Sequence, residues 1–136
     1  MNKTLVALLV ILALIGVSCF KLGESEYYVK MTGRVEIKNV HIPSQLNESD
    51  TARITARAQA NDGCWSNLRF QLDSTSANEY ILQAYGTYES WGSCPSVMVY
   101  GDTTILLKMK TAGTFIFYTY MTPEITQKDT LVVTEN

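Results

Sequence analysis

The chain has 136 residues, 46% of them hydrophobic and 18% charged, with a net charge of -2. That length excludes a multidomain enzyme, and the absence of any basic run excludes a nucleic-acid binder. The apolar content is uneven: residues 1–18 carry 13 apolar side chains and one charge, and the remainder is a moderately apolar stretch sufficient for one core.

In chain order the first element is an export signal over residues 1–18. Met1-Asn2-Lys3 is a basic leader, Leu5 to Ile15 is an unbroken apolar run, and Gly16-Val17-Ser18 supplies small residues. The run falls short of the roughly 20 residues that cross a bilayer, and Lys21 follows closely. A short anchor helix left in place is the plainer alternative. Ile15-Gly16-Val17-Ser18-Cys19 resembles the lipobox of bacterial lipoproteins, with Gly16 where Leu is usual. Looser boxes of this kind occur in Bacteroides-type bacteria. The resemblance implies a Bacteroides-type envelope lipoprotein, acylated on Cys19 and held to the outer or inner membrane. Loss of Lys3 and acylation of the new terminus then move the net charge to about -3. Ordinary cleavage after Ser18 would instead leave Cys19 as a free thiol.

Residues 19–32 read as the lipidated cysteine and a solvated tether, and residues 33–136 as the folded domain. Arg34 to Val40 alternates, with Val35, Ile37 and Asn39 on one side, and Pro43 ends it. Thr51 to Ala60 sets Ala52, Ile54, Ala56, Ala58 and Ala60 against Thr51, Arg53, Thr55, Arg57 and Gln59. The small alanines predict a tight fit against a bulky partner sheet. Asn61-Asp62-Gly63 turns the chain, and Leu68, Phe70 and Leu72 then alternate with polar residues. After a Ser74–Asn78 loop, Glu79 to Tyr88 is apolar or aromatic on both faces. Val97 to Tyr100 is short, and a Gly101-Asp102 turn leads into Thr104–Lys110. Thr114–Met121 and Thr130–Thr134 complete seven or eight strands, the spacing of an all-β, antiparallel β-sandwich.

With Cys19 assigned to lipid, Cys64 and Cys94 remain as one pair in an oxidising compartment, which predicts a disulfide. Trp65 follows Cys64 directly, so an indole buried beside that bond is expected. Thr103 to Thr119 (TTILLKMKTAGTFIFYT) resembles the E-turn-F hairpin of immunoglobulin-like domains, with Phe115 at the aromatic position of the Ala-Gly-x-aromatic step. That resemblance implies an immunoglobulin-like sandwich; it does not extend to that family's disulfide, which joins different strands.

Catalytic chemistry finds little support. His41 is the single imidazole, which leaves no Ser-His-Asp or Cys-His arrangement and no zinc or copper ligand set. Asp50, Asp62, Asp73, Asp102 and Asp129 fall at turns and outward positions, where carboxylates shape turns and hold water. No cofactor is expected, and the chain reads as a non-enzyme. The best binding candidate is Ala84 to Tyr100, which gathers Tyr85, Tyr88, Trp91 and Tyr100 around Cys94 and Pro95. Rigid aromatics beside a disulfide bind at low entropic cost and suit a glycan or an envelope protein, although alternate aromatics on a strand often face the core. Trp91 is the one expected to be exposed. Four Asp-(Ser/Thr) steps resemble the O-glycosylation motif of Bacteroides-type exported proteins, with Thr51, Ser74, Thr103 and Thr130 as acceptors. The bland explanation is an Asp turn followed by a strand-opening Thr. The overall expectation is a binding module, with a structural accessory subunit of an envelope complex or a small inhibitor of an exported hydrolase as alternatives.

Overall fold

The computed structural model describes residues 27–135. The lipidation candidate Cys19 and the export signal lie outside the described residues. Eight strands follow one another: β1 Val29–His41, β2 Gln45–Asn47, β3 Thr51–Ala60, β4 Trp65–Ser76, β5 Glu79–Ser90, β6 Val99–Lys108, β7 Gly113–Tyr120 and β8 Thr126–Thr134. They form one eight-stranded sheet in the order β2-β8-β7-β5-β1-β3-β6, with β4 on the other edge of β5, curled into a half-barrel.

The all-β expectation holds, and the purely antiparallel one does not. β5 runs parallel to β7, and β2 runs parallel to β8. β5 is long enough to take three partners. One of its edges pairs with β4 along nearly its whole length, while the opposite edge is shared by two strands. Glu79 to Leu82 pair with β7, and Ala84 to Ser90 pair with the first half of β1. β1 then leaves β5 and pairs through Glu36 to His41 with β3. A bulge between Ile37 and Asn39 marks this crossing. It also corrects the inward position expected for Asn39: the extra residue turns Asn39 outward and brings Val40 against the core.

Several boundaries differ from the sequence reading. β1 begins at Val29, inside the expected tether, because Val29 to Thr32 find ready partners in Thr87 to Ser90. Gly101-Asp102 is not a turn. β6 passes straight through it, as Asp102 pairs with Arg57 across the strands at 2.7 Å and Gly101 leaves room for Leu68. Asp73 and Asp129 lie within β4 and β8, and β4 extends to Ser76. The segment likened to an E-turn-F hairpin holds β6 and β7, which do not pair with each other: β6 pairs with β3, and β7 with β5 and β8. Gly113 opens β7 at φ 147°, and Phe115 is buried.

The core is the concave face. All five inward residues of β3 are buried, opposite Leu82, Ala84, Phe115, Phe117, Leu131 and Val133. Small residues on one wall accept the bulk of the other. Tyr80 stacks on Phe117 with centroids 5.0 Å apart, and full burial of a Phe side chain contributes about 1.5–3 kcal/mol. At the start of β4, Asn67 adopts φ 50°, which an Asn tolerates, and the register shifts there between Ser66 and Arg69. The shift turns Leu68, Phe70 and Leu72 toward the core as the sequence pattern requires.

Candidate binding site

Pairings Val29 with Ser90, Trp65 with Tyr88 and Ala60 with Val99 bring five strand ends together. At this end Cys64 and Cys94 are joined as a disulfide, with Cα atoms 5.3 Å apart. Local bonds fix the approach on both sides. The Asp62 carboxylate accepts from the Cys64 amide at 2.9 Å, and the Gly63 amide donates to the Pro95 carbonyl at 2.8 Å. The Glu89 amide donates to the Cys64 carbonyl at 2.9 Å, and the Tyr88 hydroxyl lies 3.2 Å from Cys94 Sγ. Asp62 is the carboxylate nearest the two sulfurs, but the bond between them withholds both from any ligand role.

The four aromatic candidates do not share one surface. Tyr88 points inward, edge-on to Trp65 at 5.3 Å. Tyr85 sits on the outer face opposite Arg34 and Arg69, with its hydroxyl bonded to Gln83. Tyr100 is on the outer face of β6, opposite Gln59. Trp91 follows β5 on a loop and is 64% exposed. Its ring packs on Tyr28 with centroids 4.4 Å apart, and the Tyr28 hydroxyl donates to Glu89 at 2.6 Å. That bond raises the Tyr28 pKa above the usual tyrosine value, with desolvation and the Glu89 charge adding to it. The same bond lowers the Glu89 carboxyl, helped by Lys30 at 3.5 Å.

Trp65 is half-buried beside the disulfide, because two glycines admit it. A Cβ on Gly33 would lie 2.9 Å from its ring, and one on Gly86 2.9 Å from it and 2.7 Å from Leu68. Where β1 leaves β5 for β3, a cleft of about 190 Å³ opens. Val35, Ala60 and Trp65 supply apolar wall, and Arg34, Glu36, Gln59, Asn61 and Tyr120 supply polar rim. The Arg34 guanidinium lies 4.9 Å over the Tyr120 ring, and Glu36 is paired with Lys38. The rim therefore presents two amides, one stacked cation and one carboxylate around an apolar wall that includes the Trp65 ring, a donor and acceptor set suited to hydroxyl groups. Sequence reasoning missed Tyr28, Arg34, Gln59 and Tyr120. No spacing links Arg34 to Tyr120, since only the meeting of mid-β1 with the end of β7, where the Ile37 amide donates to the Met121 carbonyl, places them together. Tyr28 had a signal, the aromatic doublet Tyr27-Tyr28.

Among the acceptor candidates, Thr51 opens β3 and is exposed, and Ser74 is exposed in β4 with its hydroxyl donating to the Ser76 carbonyl at 2.7 Å. Thr130 is exposed within β8, and Thr103 is half-buried within β6. Only the Asp before Thr51 shapes a turn, accepting from the Asn47 amide at 3.0 Å. His41 is exposed at the far end of β1. No family model, curated protein or solved structure matches the chain.

Proposed function

We propose that this chain is a non-catalytic, lipid-anchored binding module of the bacterial cell envelope, a variant of the immunoglobulin-like sandwich whose side cleft takes one ring of a glycan. The observation that carries the reading is the cleft itself: an apolar wall from Val35, Ala60 and Trp65 with Gln59, Asn61, Glu36 and the Arg34–Tyr120 pair around it. Its volume suits one hydroxylated ring. A single ring of about 12 non-hydrogen atoms, at roughly 0.3 kcal/mol per atom, gives about 4 kcal/mol, or millimolar affinity. Useful binding therefore requires a longer glycan that also runs along the surface, where Tyr85 and Tyr100 offer further faces. Anchoring through Cys19 supplies the membrane partner; nucleic acid has no place, for want of a basic surface.

The test is a glycan array probed with the protein and with Gln59→Ala and Arg34→Ala, neither of which removes core packing. Binding to a restricted set of glycans, reduced about tenfold or more by each variant at unchanged melting temperature, is the expected result. Absence of glycan binding, or binding indifferent to both variants, overturns it.

One observation favours the structural accessory subunit as a second reading. β4 and β6 each keep a long edge without a hydrogen-bonded partner among the described residues, and an open edge is a template for pairing with another chain. Leu106 on β6 is 62% exposed beside one such edge. Co-purification of a β-rich envelope protein, abolished by Leu106→Lys at the β6 edge, would select this reading over the first.

A further inference from the structure

Of the ten large apolar side chains exposed among the described residues, six gather at one end of the molecule; of the others, Tyr100 and Leu106 lie on β6, Ile125 just before β8 and Val132 within it. Tyr27, Tyr28, Met31, Trp91, Val97 and Met98 are all between 40% and 75% exposed. All of them flank the strand ends gathered around the disulfide: Tyr27, Tyr28 and Met31 at the start of β1, Trp91 after β5, and Val97 and Met98 before β6. The opposite ends of β1, β3, β4 and β6 finish in His41, Thr51, Ser76 and Lys108, all exposed and polar. The chain also reaches the folded part at the apolar end, since Tyr27 stands two residues before β1. From Cys19 to Tyr27 there are eight residue steps, which span at most about 29 Å even when fully extended.

We infer that this apolar end is seated in the headgroup region of the membrane that holds the lipid anchor, with the Tyr28–Trp91 pair at the water–lipid boundary. The inference rests on the reading of Cys19 as acylated. An acyl anchor at the end of so short a leader keeps the patch within reach of the bilayer, and Tyr and Trp favour that boundary because an apolar body carries a polar tip. Lys30, paired with Glu89 beside the rings, places a cation at the level of the lipid phosphates. A diacylated cysteine already holds the protein, so the patch sets the domain's orientation rather than its attachment. Trp91 orients the domain on the membrane, and ligand contact falls to the cleft, whose lining runs from Trp65 and Asn61 near this end to Glu36 and Tyr120 beyond it.

The experiment uses protein purified from membranes with its lipid attached. It is reconstituted into vesicles of phosphatidylethanolamine and phosphatidylglycerol carrying lipids brominated near the headgroup, and intact mass reports acylation of Cys19. Bromolipid is expected to quench tryptophan emission at least twofold. Trp91→Phe is expected to remove the quenched component and leave Trp65 emission, and aqueous iodide should quench little. Trp91 is a surface residue, so the variant folds, and its near-ultraviolet dichroism checks this. An acylated protein whose Trp91 is open to iodide and silent to bromolipid overturns the membrane seating while leaving the anchor standing. Loss of glycan binding on Trp91→Phe without bromolipid quenching assigns the patch to a glycan and also overturns it. An unmodified Cys19 removes the anchor, and the inference falls with it.

Discussion

Along β3 the inward positions are Ala52, Ile54, Ala56, Ala58 and Ala60, all shut away from water, and the bulky Phe115 and Phe117 of β7 belong to the same closed core. At the disulfide end the small residues are glycines instead. Gly33, Gly86 and Gly101 leave space that Trp65 and Leu68 occupy from β4, and there the wall opens into the cleft. Small side chains thus serve two purposes. Alanines on a continuously paired strand close the core, whereas glycines around a strand crossing let one large ring reach the surface. A methyl group packs and a hydrogen does not, so the first region contributes stability and the second contributes shape.

The largest expected effect lies in the closed region. Phe117→Ala removes a fully buried ring stacked by Tyr80 and should cost about 3–5 kcal/mol, read as a lower urea midpoint at unchanged slope. A loss under 1 kcal/mol would mean that this wall is not the core. Second is the disulfide that braces the open end. Replacing Cys64 and Cys94 by Ala releases a separation of 30 residues and should cost about 3–4 kcal/mol, again in urea. An equal stability for both forms would place the loop's restraint in Asp62, Pro95 and Tyr88 alone.

The glycine contrast can be tested by exchange. Gly86→Ala places a methyl 2.7 Å from Leu68 and 2.9 Å from Trp65, and should cost about 1–3 kcal/mol while shifting Trp65 emission. Ala58→Gly, in the closed wall, should cost about 0.5–1 kcal/mol and leave that emission unchanged. If Gly86→Ala were neutral, the two regions would not differ in the way described. Thr119 is fully buried on the closed face, and its hydroxyl has no partner among the described residues. Thr119→Val should therefore raise stability by about 1–2 kcal/mol, as a higher melting temperature, because an unpaired buried hydroxyl is costly. Destabilisation would show that the hydroxyl is satisfied.

The smallest effect is on the outer surface. The hydrogen bond and charge of Arg57 hold the Asp102 carboxyl below its usual value. A lowered folded-state pKa stabilises the fold above the unfolded value and loses that contribution as the pH falls through the lowered one. Asp102→Asn should therefore destabilise slightly at neutral pH, where the contribution is present in full, and not at a pH below the lowered value, and salt should shrink the difference. Tyr28 runs the other way. Its raised pKa means that the bond to Glu89 holds below the usual tyrosine value and is lost as the pH rises through the raised one.

The closed region was legible in the sequence because period-two alternation survives wherever a strand keeps one partner on each edge. Thr51–Ala60 shows it without interruption. The open region was not legible. The Asn39 alternation broke because a bulge falls where β1 changes partners, and Gly101-Asp102 has turn composition while serving as mid-strand space for Leu68 and as an ion pair with Arg57. The parallel pairing of β5 with β7 is a property of long-range topology and leaves no local mark. Of the site, the Cys64–Cys94 pairing and the position of Trp65 beside it could be read from cysteine arithmetic and adjacency. Arg34, Gln59 and Tyr120 come from three separate strands and meet only in the folded chain.

The cleft is the proposed binding surface, and the indole protons report on it directly. Titrating a nitrogen-15-labelled protein with an array-selected oligosaccharide should shift the Trp65 indole resonance and leave that of Trp91 in place. A Trp65 resonance that stays fixed while Trp91 moves would contradict it.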